Sequence, residues 1–276
     1  MRGRFFESNF AVDTRSGRYL LAGGVWALGV LVLWGWCANA FAEERAAAAH
    51  ADKPAAKDKA AKPTPVRRER VVIPAGTFVR GSTEALDERP VETKRLGRYR
   101  IDKTEVTRAM YARCVRAKRC RKAEIPLDED PDRPVTHVSW HDARAYCAFV
   151  GGRLPTEDQW EKAARGSEGL AFPWGAEAEC DKGNWGNFDG EGPCAGKNPG
   201  HPVEVGAFPQ GASPYGVLDM AGNVWEWVAN RYEHEPARRV VRGGSCCSYF
   251  VEPRAANRNA WAPTYKDGDL GFRCVS

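Results

Sequence analysis

The sequence predicts a single α+β domain of low regular secondary structure, and three observations carry that expectation. Short extended pieces open at Val71, and three capped helical stripes lie between Thr107 and Gly166. The long stretch after Gly166 has no sustained period, yet it is studded with aromatic residues. At 276 residues the chain has room for one large core, and residues 71–276 are expected to build it.

Before residue 71 the chain has a different character. Leu20 to Trp36 is apolar, follows Arg2, Arg4, Arg15 and Arg18, and ends close to Ala40-Phe41-Ala42, a small-x-small cleavage pattern. Residues 1–42 therefore read as a signal peptide, or as an N-terminal membrane anchor if residues 20–36 are retained. Either way the positive flank sends the following domain across the membrane, to a periplasmic or extracellular location. Contact with the membrane is expected only through this segment. Cys37 follows Trp36 instead of a small residue and makes a poor lipid-attachment site. Residues 43–70 are rich in Ala, Lys and Pro without a Phe, Trp or Tyr, the composition of a disordered linker.

The net charge of +5 sits entirely in front of residue 71, where twelve Lys and Arg face seven Asp and Glu; the rest of the chain is balanced. A nucleic-acid face needs a basic domain, so that class of partner is excluded.

Within residues 71–276 the elements follow in order. Val71-Val72-Ile73-Pro74 and Thr77 to Arg80 read as two short strands joined by a turn at Ala75-Gly76. A first helix starts at Thr107 and buries Met110, Tyr111, Cys114 and Val115. A second is capped by Ser139 with Asp142 in capping-box position, buries Ala143, Tyr146, Cys147 and Val150, and stops at Gly151-Gly152. The third has Thr156 as its N-cap, Gln159 in the box position and Gly166 as its stop. Beyond it Trp174, Trp185, Phe188, Phe208, Tyr215, Trp225 and Trp227 read as core anchors, with mutual packing of loops expected to replace hydrogen-bonded ladders.

Nine cysteines, less Cys37, leave eight, and an even number in an exported chain reads as a disulfide framework. Cys114 with Cys120, and Cys180 with Cys194, lie close enough in sequence for each pair to close locally. The pairing of the other four is open on spacing alone.

Five phrases occur in fixed order: Gly152-Arg153-Leu154-Pro155-Thr156-Glu157, Phe172-Pro173-Trp174-Gly175, Asp219-Met220-Ala221-Gly222-Asn223-Val224-Trp225-Glu226-Trp227, Val241-Arg242-Gly243-Gly244-Ser245 and Gly271-Phe272-Arg273-Cys274. The series resembles the formylglycine-generating enzyme family, also called sulfatase-modifying factors, from about Val72 to the C-terminus. The resemblance implies a loop-rich formylglycine-generating-enzyme fold, C-type-lectin-like. It also implies a disulfide between Cys147 and Cys274, and a structural calcium ion held by Asn223, Val224 and Glu226; the alternative is a turn in which Glu226 accepts backbone N–H bonds. A second calcium site would use Asn184 and the carbonyl of Trp185, but Ala195 stands where the family has an Asp.

In active members of that family two cysteines, placed shortly after Gly-Gly-Ser, hold a copper ion that activates oxygen. Here Phe250 and Arg254 occupy the matched places, so copper is not expected. Cys246 and Cys247 are the remaining catalytic candidates. Adjacent side chains of an extended segment point to opposite faces, which disfavours a shared copper ion or a bond between them. His137 and His141 would need a nearby carboxylate to hold iron. The resemblance thus implies an exported binding or accessory module that holds a peptide or small ligand around Cys246 to Arg258. The alternative is an atypical oxidase or a non-haem iron enzyme of the same family.

Overall fold

The computed structural model describes residues 68–187, 190–248 and 253–276. The expectations for residues 1–42 and for the linker up to residue 67 lie outside the described residues, as do Phe188 and Phe250. No helix among the described residues is long and apolar enough to cross a membrane.

The elements run β1 (Arg70–Ile73), β2 (Gly76–Arg80), β3 (Glu92–Leu96), β4 (Tyr99–Asp102), α1 (Arg108–Arg116), α2 (Trp140–Phe149), α3 (Glu157–Arg165), β5 (Trp225–Arg231), β6 (Arg239–Arg242), β7 (Arg258–Trp261) and β8 (Leu270–Gly271). The first two strands form, but they do not pair with each other. Instead β1 runs antiparallel to β4 and β2 antiparallel to β3. Pro74, which has no N–H to give a ladder, ends β1 and lets the chain turn away.

The helices start where their caps require. Thr107 Oγ1 accepts the N–H of Met110 at the head of α1. Ser139 and Asp142 form a reciprocal capping box on α2, and Thr156 and Gln159 do the same on α3. Gly166, with φ of 70°, ends α3.

After residue 224 the structure departs from the expected loop packing. Strands β7, β6, β5 and β8 form a four-stranded sheet in that order, with β8 parallel to β5 and the other pairs antiparallel. Both faces of this sheet are covered. Trp225 and Trp227 of β5 and Val241 of β6 point into one apolar cluster, with Tyr111, Tyr146 and Phe272. Val228 and Val240 point the other way into a second cluster, with Trp160, Ile73 and Ile101. A strand buried on both faces shows no period-2 alternation, because its polar positions are inside too.

Three disulfides tie the fold: Cys114–Cys120, Cys147–Cys274 and Cys180–Cys194. They mark the surroundings of the folded domain as oxidising.

Candidate functional site

Three arginines organise the region between α3 and strands β6 and β7. Glu157 and Glu161 sit four apart on α3, so both carboxylates project from one helix face. Arg242, 1% exposed, spans them, with Nη1 on Glu157 at 3.1 Å and Nη2 on Glu161 at 2.7 Å. The same guanidinium donates to the carbonyls of Ala256 and Ala255 at 3.0 and 2.8 Å. Arg258 joins Glu157 to Glu233. Arg165 donates to Glu161 at 2.9 Å and to the carbonyls of Gly81, Gly169 and Leu170. Burying this many charges is costly unless each is matched, and here carboxylates and carbonyls match them.

Arg165 of this network, with Ala256 whose carbonyl Arg242 binds, lines a cavity of about 380 Å3. Its walls come from three segments far apart in sequence: Val79 to Glu84 with Val91, Arg165 to Ala171, and Arg254 with Ala256. Val91, 49% exposed, brings an apolar side chain to the lining. Arg254 holds buried Glu88 through two parallel bonds, 2.9 and 2.7 Å long, the bidentate geometry that fixes a guanidinium in orientation. Arg254, which stands at the place matched to one of the family's copper-binding cysteines, thus puts a cation on the pocket wall. Of its lining residues, the sequence pointed to Arg254 and Ala256, within the surface from Cys246 to Arg258; the loop from Gly81, and Glu88 behind it, carry no motif.

Cys246 and Cys247 require a correction. The segment is not extended: Ser248 N–H donates to the Ser245 carbonyl at 3.2 Å, and Ser248 Oγ accepts the N–H of Ser245 at 2.7 Å. This closes a turn with the two cysteines at its tip. Both side chains therefore leave the backbone on the same side, and the sulfurs stand 3.4 Å apart as thiols. Cys246 is buried, its N–H bound to the Asn223 carbonyl, while Cys247 is half-exposed and reaches the Gly200 carbonyl at 3.2 Å.

The residues anticipated for calcium lie together, but in different roles. Glu226 accepts bonds from Arg273 at 2.7 to 2.9 Å and from Trp160 Nε1 at 2.8 Å. Its carboxylate is already neutralised by a buried guanidinium, so the set Asn223, Val224 and Glu226 does not fit a hard cation in this arrangement. Asn223 Oδ1 accepts from Asn184 Nδ2 and from the N–H of Val203, and its Nδ2 donates to Glu105. Gly222 makes the crossing possible: at φ +91° a Cβ there would lie 2.2 Å from the Asn184 carbonyl oxygen. Asn184 Oδ1, by contrast, is buried without a hydrogen-bond partner, the kind of oxygen a cation takes. The carbonyl of the adjacent Trp185 accepts from Asn198 at 2.8 Å.

Burial raises the carboxyls of Glu105, Asp219 and Glu226 above the usual range, and the charge of Asp219 lifts Glu105 further. Burial alone would lower Arg273, but the Glu226 carboxylate raises it above the ordinary arginine value. The two histidines do not assemble a centre. His141 is exposed and meets the Trp140 ring edge-on, whereas His137 sits in a turn at φ 53°. Among the described residues no group of three His, Cys, Asp or Glu is placed to hold a metal ion.

The family described as "Sulfatase-modifying factor enzyme 1-like domain" matches residues 54–276, so the match begins inside the segment read as a linker. Over 160 residues the chain is 42% identical to the Bos taurus protein named "Inactive C-alpha-formylglycine-generating enzyme 2", covering 54% of this chain and 52% of that protein. It thus spans about half the length of that relative. It is 31% identical to the formylglycine-generating enzyme of Streptomyces coelicolor, covering 79% of this chain and 93% of that protein. Among solved structures, PvdO from Pseudomonas aeruginosa superposes with a TM-score of 0.61 at 25% identity, over 75% of this chain and 94% of that one. CarF does so with a TM-score of 0.59 at 21% identity, over 76% and 98%, a likeness of fold.

Proposed function

Since the chain belongs to the sulfatase-modifying factor family, we propose that it is an exported member that binds a peptide or small ligand in the Arg254 cavity without oxidising it. The observation that carries this reading is Arg254 itself. A guanidinium locked to Glu88 stands on the wall where the family's second copper-binding cysteine is expected, and a guanidinium is a donor only, with no lone pair for a metal. The cavity volume suits a small ligand or a few peptide side chains, and the exposed Val91 offers apolar contact beside a charged wall. A relative named as inactive supports the same direction. Export rests on the apolar segment at 20–36 and the disulfide framework, with the envelope or cell exterior as the destination.

The test is to incubate the purified full chain, supplied with Cu(I) and oxygen, with a peptide carrying Cys-x-Pro-x-Arg. The expected result is a peptide cysteine that is not converted to an aldehyde. Aldehyde on the peptide with copper bound to the protein overturns the reading in favour of an atypical oxidase.

Calcium is proposed as a structural ion at the Asn184–Trp185 loop, with Asn184 Oδ1 and the Trp185 carbonyl among its donors. Adding calcium to chelator-treated protein is then expected to raise the melting temperature, as any ligand of the native state does. Asn184→Ala is expected to remove that rise. An equal rise in the variant places the ion elsewhere.

A further inference from the structure

We propose that Cys246 and Cys247 form a redox-reactive vicinal dithiol that exchanges with disulfides, a site separate from any copper chemistry. Two observations on the geometry carry it. The turn closed by Ser245 and Ser248 brings the sulfurs to 3.4 Å, within van der Waals contact and a short movement from a covalent bond. The two thiols also differ in access: Cys247 is half-exposed beside the Gly200 carbonyl, whereas Cys246 is 0% exposed and pinned by its N–H to the Asn223 carbonyl. That asymmetry assigns their roles. Cys247 meets the incoming disulfide, and Cys246 waits behind it as the resolving thiol.

The exchange proceeds in two balanced steps. The Cys247 thiolate attacks one sulfur of a small disulfide such as oxidised glutathione; that S–S bond breaks, and the departing thiolate takes up the proton Cys247 has shed. The Cys246 thiolate then attacks Cys247 Sγ, breaks the mixed disulfide and releases the second thiol, which takes the proton from Cys246. Two protein thiols are oxidised and one disulfide is reduced to two thiols. Neighbouring Cα atoms stand about 3.8 Å apart across a trans peptide, below the span of an ordinary disulfide, so the bridge strains the turn and is easily reduced again. A bond of that kind is labile and reversible, unlike the three that staple the fold. Its natural reactants are thiols and disulfides of the oxidising space that the rest of the cysteine pattern indicates.

The experiment treats the purified full chain with oxidised glutathione, digests it without reduction and maps the peptide containing both cysteines by mass. The expected product has lost two hydrogen atoms and carries an internal bond, with two equivalents of glutathione released, and dithiothreitol restores the thiols. Phenylarsine oxide, which bridges paired thiols, is expected to label the reduced protein and not the oxidised one. Cys246→Ser is expected to trap glutathione on Cys247, and Cys247→Ser to leave Cys246 unmodified. The proposal is overturned if the wild-type peptide keeps both thiols, if glutathione stays stably bound to Cys247 in the wild type, or if either cysteine maps in a disulfide to another part of the chain. These wild-type readouts stand whether or not the variants fold.

Discussion

Arg273→Met is expected to cost about 3–5 kcal/mol of stability, a large share of the roughly 5–15 kcal/mol that holds a typical domain together. The side chain is 0% exposed, and its guanidinium is committed on every edge. It binds both oxygens of Glu226, and it donates to the carbonyls of Asp102, Lys103, Leu218 and Asp219. Methionine fills much of the volume but none of these bonds. The Glu226 carboxylate would be left buried, with Trp160 Nε1 as its remaining donor and with Glu105 and Asp219 nearby. Urea unfolding of the two proteins measures the difference. Adding Glu226→Gln to Arg273→Met removes the uncompensated charge, so the double variant is expected to be more stable than the single one. A single variant within about 1 kcal/mol of wild type would show that the carboxylates are not held by this guanidinium.

That arrangement also explains what could and could not be read from the chain. Helix starts were legible because a cap is a local event: Ser139 with Asp142, and Thr156 with Gln159, are partners three residues apart. The four-stranded sheet was not. Trp225 to Val228 are all buried, and Glu226 lies inside because Arg273, 47 residues further on, neutralises it. A buried Glu looks like a solvent-facing one until its partner is known. Pairing of β1 with β4 and of β2 with β3 was hidden for the same reason, since the paired residues lie 26 to 32 and 12 to 20 positions apart, across segments without a turn motif. The cavity joins three distant segments, so only the one holding Arg254 and Ala256, inside the Cys246–Arg258 surface, could be singled out. The cysteine pair was misjudged on backbone conformation alone, because the turn depends on Ser248 reaching back to Ser245.

Removing the Cys147–Cys274 bond is expected to be the most damaging of the three disulfide deletions. Its two residues are 127 apart in sequence, against 14 for Cys180–Cys194 and 6 for Cys114–Cys120. In the chain-entropy account, the restriction a bond places on the unfolded chain grows with the logarithm of the loop it closes. That corresponds to about 5 kcal/mol for the long loop, about 3 for the intermediate one and about 2 for the short one. The native state adds to the same ranking. Cys147 lies on α2 and Cys274 beside Val275, whose backbone pairs with Arg153, so this bond fastens the last residues of the chain against the helix and the start of the Arg153–Thr156 segment. Cys274 N–H also binds Asp102 at the end of β4, and these contacts loosen together if the terminus frays. The Cys147→Ala/Cys274→Ala protein is therefore expected to lose at least twice the unfolding free energy that Cys114→Ala/Cys120→Ala loses, measured by urea denaturation under identical conditions. Equal losses in the two variants would mean that the bond acts through local packing, with loop closure contributing little. In that case the terminal Gly-Phe-Arg-Cys segment must be held by Arg273 and Phe272, not by the sulfur link.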